Sequence, residues 1–148
     1  MSSRKNLLLI FFMVVLTLSV FLNDVWGANW IEYGRIKNGT VYYYDLDSVK
    51  KSSGKVKVWE KLVYGDDDKR KMITILDENN QCQDCERLSY TKTLYEIRCS
   101  GDLRRIITST DYDTDGQVLF TSSGKIQDEW SHIVQGSIFE TLKRKVCR

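Results

Sequence analysis

The chain has 148 residues, with 22 Lys and Arg against 20 Asp and Glu, a formal charge of +2, four cysteines, one histidine and no proline. A balance this even supplies no basic face for phosphate, so nucleic acid is not an expected partner. Without proline no mechanism can depend on a cis-proline, and the turns fall to Gly, Asn, Asp and Ser.

Arg4 and Lys5 precede an apolar run from Leu7 to Leu22, broken only by Thr17 and Ser19. That is the order of parts of a secretory signal peptide. The run is shorter than the roughly 20 residues that span hydrocarbon, and Asn23 and Asp24 follow it with no stop-transfer cluster. Val25 and Gly27 suit the −3 and −1 positions, which places cleavage after Gly27 and the mature terminus at Ala28. Residues 1–27 are read as a signal peptide and 28–148 as one domain of 121 residues and charge +1, enough chain for a single core. The expected location is periplasmic, secreted or cell-surface, with no stable membrane span after cleavage. No cysteine lies near the cleavage point to carry a lipid.

Asn29 to Tyr33 and Thr40 to Tyr44 are aromatic, β-branched runs on either side of Lys37-Asn38-Gly39, and Asn-Gly is the strongest short-range hairpin signal. Lys55 to Tyr64 alternates, with Val56, Val58, Leu62 and Tyr64 on one face and Lys55, Lys57 and Lys61 on the other. Glu60 falls on the apolar side and Trp59 on the polar one, yet the segment reads as a strand. Gly65-Asp66-Asp67-Asp68-Lys69 is read as a turn, and Met72 to Leu76 as an apolar run that periodicity leaves open between helix and strand. Ser89 to Cys99 places Tyr95, Ile97 and Cys99 on one face. Arg105 to Thr110 is the next strand across Ser100-Gly101-Asp102, and Gln117 to Thr121 pairs back across Asp115-Gly116.

The period then changes. Ile138, Phe139, Leu142 and Val146 form a helical stripe, Ser137 and Glu140 have the spacing of a capping box, and Lys143, Arg144 and Lys145 occupy the last turn where the dipole favours cations. A short amphipathic helix must lie on a sheet to be stable in water. The expected fold is therefore α+β and disulfide-stabilised: a single antiparallel sheet, a meander of about six strands, packed by a C-terminal α-helix. Trp59 and Trp130 are expected to fill the space between the two layers.

Cys82, Cys85, Cys99 and Cys147 in an exported chain read first as two disulfides, with three possible pairings. Cys99 ends a strand and Cys147 ends the helix that should cover it; a bond between them closes a loop of about 48 residues and is worth about 4 kcal/mol on chain-entropy grounds. Cys82 and Cys85 then pair across Gln83-Asp84. A thioredoxin-like use of that pair is the alternative, but Asp84 and Glu86 would raise the thiol pKa by like-charge repulsion and no β-α unit flanks it. A four-cysteine zinc site is a third reading. Asp111-Tyr112-Asp113-Thr114-Asp115-Gly116 matches the first half of a calcium loop, but position twelve is Ser122, so a hairpin turn explains it better. Asn38-Gly39-Thr40 is a glycosylation sequon in form and turn chemistry in substance. His132 reads as a packed or half-exposed side chain. With no nucleophile elbow, phosphate loop or metal-spaced His-Glu pair, the chain carries no expected catalytic residue and no expected cofactor.

The ordered landmarks Trp30, Tyr43-Tyr44-Asp45, Ser48-Val49, Val56-Lys57-Val58-Trp59, Tyr95-Glu96-Ile97-Arg98-Cys99, Tyr112-Asp113, Gly116, Trp130, Ile133, Ser137 and Val146-Cys147 span essentially the whole mature chain. Together they resemble the surface-adhesin protein E-like family of exported bacterial proteins. The resemblance implies an antiparallel sheet packed by a C-terminal helix, a Cys99–Cys147 bond, and an adhesin-like binding of host extracellular-matrix proteins. The chain departs from it in lacking a lipidation cysteine, in Val134-Gln135-Gly136 where a proline is usual, and in adding Cys82 and Cys85. The expected function is that of a non-enzymatic binding module recognising a protein or glycan at the cell envelope or extracellular matrix through a sheet face or edge. A periplasmic thiol-disulfide oxidoreductase using Cys82 and Cys85, or an inhibitor or chaperone of an envelope protein, are the alternatives, and a homodimer is compatible with each.

Overall fold

The Asn38-Gly39 turn forms because both residues accept what it demands. Gly39 takes a φ of +90°, and the Asn38 side chain accepts the Thr40 amide at 3.1 Å. It joins β1 (Trp30–Arg35) to β2 (Val41–Asp45). The computed structural model describes residues 27–122 and 129–148, so the signal-peptide reading, apart from Gly27, lies outside the described residues. The chain continues through β3 (Lys50–Ser52), β4 (Lys55–Val63), α1 (Asp66–Glu78), β5 (Leu88–Arg98), β6 (Leu103–Asp113), β7 (Val118–Ser122), β8 (Ser131–His132) and α2 (Ile138–Val146). All strand pairs are antiparallel. The order β1-β2-β4-β5-β6-β7 is the expected meander, and the short β3 and β8 add to β4 and β6 to make an 8-stranded sheet.

Register fixes what each face carries. On β4 and β5, Val56 pairs with Ile97, Val58 with Tyr95 and Glu60 with Thr93; a side-chain period of two puts all six on one face. Helix α2 lies there. Phe139, Leu142 and Val146 are buried against Tyr33, Tyr44, Val56, Val58, Tyr95 and Ile97, each contributing about 1.5–3 kcal/mol by its removal from water. The Phe139 ring meets Tyr95 edge-on at 4.8 Å. Gly34 permits the approach, since a Cβ there would come within 2.8 Å of Ile138 Cγ2. Ser137 caps the helix by accepting the Glu140 amide, and the Glu140 carboxylate reaches back to the Gly136 amide at 2.7 Å. At the other end Cys147 is bonded to Cys99, just beyond β5, with Cα atoms 5.7 Å apart.

Two expectations are corrected. Residues 65–69 do not turn: Gly65 is the N-cap of α1 and Asp66, Asp67 and Asp68 fill its first turn. Three carboxylates suit a helix N-terminus as well as they suit a loop, because the dipole stabilises them there. The start of α1 also locks to the first hairpin. Thr40, fully buried, donates from its hydroxyl to Asp68 at 2.7 Å and accepts the Gly65 amide at 3.0 Å. Bonds from Asn38 and Thr40 hold the Asp68 carboxyl below its usual range, and a Cβ on Gly65 would lie 2.0 Å from the Asn38 carbonyl oxygen. The open segment Met72 to Leu76 is thus helical, and Leu76 joins Cys85 and Leu88 in a second, smaller core flanked by Tyr64, Met72 and Phe120.

The second correction concerns Trp59 and Trp130. Neither lies under α2. Trp59 shares the parity of Lys57 and Lys61, and Trp130 rests against Lys55, Arg98 and Arg105 on that same opposite face. The tyrosines Tyr33, Tyr44 and Tyr95, with Phe139, fill the space instead.

Candidate ligand-binding face

The face of the sheet turned away from α2 is built from alternate residues of five strands. Tyr43 of β2 stands opposite Lys61 of β4, Lys61 opposite Lys92 of β5, and Lys92 opposite Thr110 of β6. Two lysines directly opposite each other are an unfavourable cross-strand pair. No carboxylate relieves it: among the described residues neither lysine forms a salt bridge. Aromatic faces surround the pair instead. The Lys61 ammonium lies 5.0 Å from the Trp30 ring centre and 5.2 Å from Tyr43. Lys92 lies 5.0 Å from Tyr112 and 5.6 Å from Tyr90. Tyr90 and Tyr112, on neighbouring strands, stack at 4.9 Å. Burial, and then the Lys92 charge, push the Lys61 ammonium below the ordinary lysine range. Cation–π contact returns part of that cost, about 0.5–1 kcal/mol per good contact, without supplying a counter-charge.

The same face continues toward the other end of the strands. Trp59 pairs with Leu94, and with Lys50, Lys57, Ser48, Asp45 and Asp47 they line a shallow depression of about 420 Å³. Beyond it Trp130 is held between the Arg98 guanidinium at 4.5 Å and that of Arg105 at 5.0 Å. Arg105 is itself paired with Glu96 at 2.8 Å. Arg105 thus has an acidic partner at this end. The Lys61–Lys92 pair does not.

The face under α2 handles its polar groups differently. Glu60, only 6% exposed, accepts the Tyr33 hydroxyl; burial pushes its carboxyl up from the usual range, against the hydrogen bond and the Arg104 charge. Burial, then Glu60, raise the Tyr33 and Tyr95 hydroxyls as well. Asp111, also buried and raised by burial, accepts from Thr91, whose hydroxyl meets that of Tyr64 at 2.6 Å. These groups satisfy one another inside the protein.

The cysteines singled out in the sequence pair as Cys82–Cys85 and Cys99–Cys147, but the singled-out residues do not converge on one site. Cys82 and Cys85 are bonded, with Cα atoms 5.6 Å apart, beyond the C-terminal end of α1. That end, with Asp84 and Glu86, gives a thiolate no stabilisation, and Cys85 is buried in the second core. In the Asp111–Gly116 hairpin, Asp113 accepts the Asp115 and Gln117 amides at 2.9 and 2.8 Å and lies 2.7 Å from Arg87. Asp111 turns to Thr91 on the α2 side, so the carboxylates serve the turn and do not converge. His132 is exposed on β8, neither packed nor half-exposed. The lysine pair itself was visible only in half: Lys55, Lys57, Lys61 and Trp59 share a face in the sequence, but Lys92 joins them through β4–β5 register, which no local pattern encodes.

An antiparallel sheet covered on one face by a disulfide-clamped helix, with an aromatic and cationic face left open, defines a small α+β module. Residues 30–148 match the family of surface-adhesin protein E, and the chain belongs to that family. Among solved structures it is similar to Haemophilus influenzae protein E, with a TM-score of 0.51 at 13% identity over 82% of this chain and 85% of that one. Crystal form II of the same protein gives 0.52 at 13% over 82% and 88%. Protein E from non-typeable Haemophilus influenzae gives 0.51 at 13% over 84% and 78%. At such identity the likeness concerns the fold. No curated protein sequence matches the chain. Among the described residues no helix is long and apolar enough to cross a membrane.

Proposed function

We propose that the protein is an exported, non-enzymatic binding module, freed from a signal peptide at Gly27, that takes a protein or glycan of the cell envelope or extracellular matrix on the open face of its sheet. The observation that carries this reading is the Lys61–Lys92 pair: two half-buried cations set opposite each other among Trp30, Tyr43, Tyr90 and Tyr112, with no salt-bridge partner among the described residues. Structure alone gains little from such a pair, whereas aromatic rings interleaved with cations are what recognition surfaces use. Family membership supports an adhesin-like role. The thiol-disulfide alternative finds no support in the surroundings of Cys82 and Cys85, where a buried sulfur and two flanking acids oppose thiolate chemistry.

Attachment of beads carrying residues 28–148 to matrix-coated and envelope-coated surfaces tests the assignment. The variant Trp30→Ala/Lys61→Gln/Lys92→Gln should lose attachment. Arg70→Gln/Lys71→Gln on α1, which also removes two charges but from outside the sheet, should keep it. Equal attachment by the open-face variant would remove the site assignment, and no attachment by the wild type to any surface would remove the module reading.

A further inference from the structure

The open face sets rings beside cations in two directions. Along β5 the order is Tyr90, Lys92, Leu94; across the strands it is Tyr43, Lys61, Lys92, Thr110, with Trp30 over one lysine and Tyr112 over the other. Neighbouring strands lie about 4.8 Å apart and same-face residues along a strand about 6.7 Å apart. The lysines therefore stand side by side at about the width of one sugar ring, flanked by ring faces on both sides.

We propose that the Lys61–Lys92 pair and its surrounding aromatic rings form a subsite for an acidic sugar unit within an anionic polysaccharide, a proposal that rests on the reading of this face as the binding surface. Two features select that chemistry. A pyranose offers an apolar C–H face, which stacks on Trp30 or Tyr112, and at its edge a carboxylate or sulfate, which both ammonium groups reach as point charges with no bidentate geometry to satisfy. Among the described residues the pair has no counter-ion, and Lys61 is partly desolvated, so an arriving anion meets a cation that binds it more strongly than a fully hydrated one would. An acidic peptide could meet the charge, but its flexible carboxylate side chains bring no rigid apolar plane for the rings. The Arg98, Trp130 and Arg105 cluster is a weaker seat for the same anion, because Glu96 already answers Arg105.

The test is titration of the folded 28–148 domain by calorimetry with four probes: a hyaluronan hexasaccharide carrying carboxylates, a heparin-derived hexasaccharide carrying sulfates, neutral maltohexaose, and a poly-glutamate of matched charge. One of the two anionic hexasaccharides should bind, with maltohexaose and poly-glutamate at least about tenfold weaker, and binding should weaken with salt. Which of the two binds names the anion. Lys61→Gln and Lys92→Gln should each lower affinity about tenfold, and Lys61→Arg should recover most of it, because charge and not shape is what the site supplies. Circular dichroism on each variant separates lost binding from lost folding. Equal binding of maltohexaose, tighter binding of poly-glutamate, or an affinity unchanged by Lys61→Gln would each overturn the proposal. If bead attachment depends on the open face while neither anionic hexasaccharide binds, the sugar assignment fails and the binding face stands; if attachment is also indifferent to the open face, both fail.

Discussion

The two faces of the sheet are made from the same kinds of residue and treat them in opposite ways. On the covered face Tyr33, Tyr44 and Tyr95 are buried beneath α2, and the buried acid Glu60 finds its partner in a tyrosine hydroxyl. On the open face Trp30, Tyr43, Tyr90 and Tyr112 stay half-exposed and surround two lysines that form no salt bridge among the described residues. A fold selected for stability alone would answer those lysines as it answers Asp113 with Arg87 or Glu96 with Arg105. The contrast teaches where to look for function: at the two open-face lysines left for something else to neutralise.

The covered face should break first. Cys147→Ser should cost about 2–5 kcal/mol, because it releases a loop with a sequence separation of 48 and unclamps α2 from β5. Cys82→Ser with Cys85→Ser releases a separation of only 3 and should cost much less. Denaturant melts of the two variants check the ranking, and a more damaged Cys82/Cys85 variant would place the fold's weight on the smaller core.

Core truncation sharpens the comparison at slightly smaller scale. Leu142→Ala, at a position with no exposure, should cost about 2–5 kcal/mol. Trp59→Ala, a larger truncation on the open face, should cost clearly less, because its ring is only half-covered. Thermal melts that reversed this order would put Trp59 back into the core, where sequence reasoning had placed it.

That misplacement shows how much of the molecule its sequence made legible. The hairpin dipeptides, the alternation of β4 and the stripe and cap of α2 were readable because each is a local pattern with one geometric solution. Helix α1 was not, since its first turn, Asp66-Asp67-Asp68, carries the same residues that mark loops, and only contact with Thr40 and Asn38 decides between them. Trp59 and Trp130 were misassigned because size argues for burial, whereas parity with Lys57 and Lys61 and the pull of Arg98 and Arg105 argue for the open face. The Lys61–Lys92 pairing depends on strand register, a long-range property.

A smaller effect distinguishes the faces by pH. Glu60 has its carboxyl raised in the fold, so its stabilisation is fully present below the ordinary carboxylate range and is lost as pH rises through the raised value. Glu60→Gln keeps an acceptor for Tyr33 and removes that loss. The difference in melting temperature, variant minus wild type, should therefore grow from about pH 4 to about pH 8. A flat or falling difference would show that Glu60 is held ionised, contrary to its burial.

The smallest effect bears most directly on the claim that Lys61 and Lys92 are left unanswered among the described residues. A double-mutant cycle of Lys61→Gln and Lys92→Gln, read by denaturant melts at low and high salt, isolates their mutual interaction from the ring contacts each makes alone. The expected result is an unfavourable coupling of about 0.5 kcal/mol at low salt that shrinks as salt screens it. A coupling of zero, or a favourable one insensitive to salt, would mean that the fold already reconciles the two lysines, and would contradict the division of labour between the two faces.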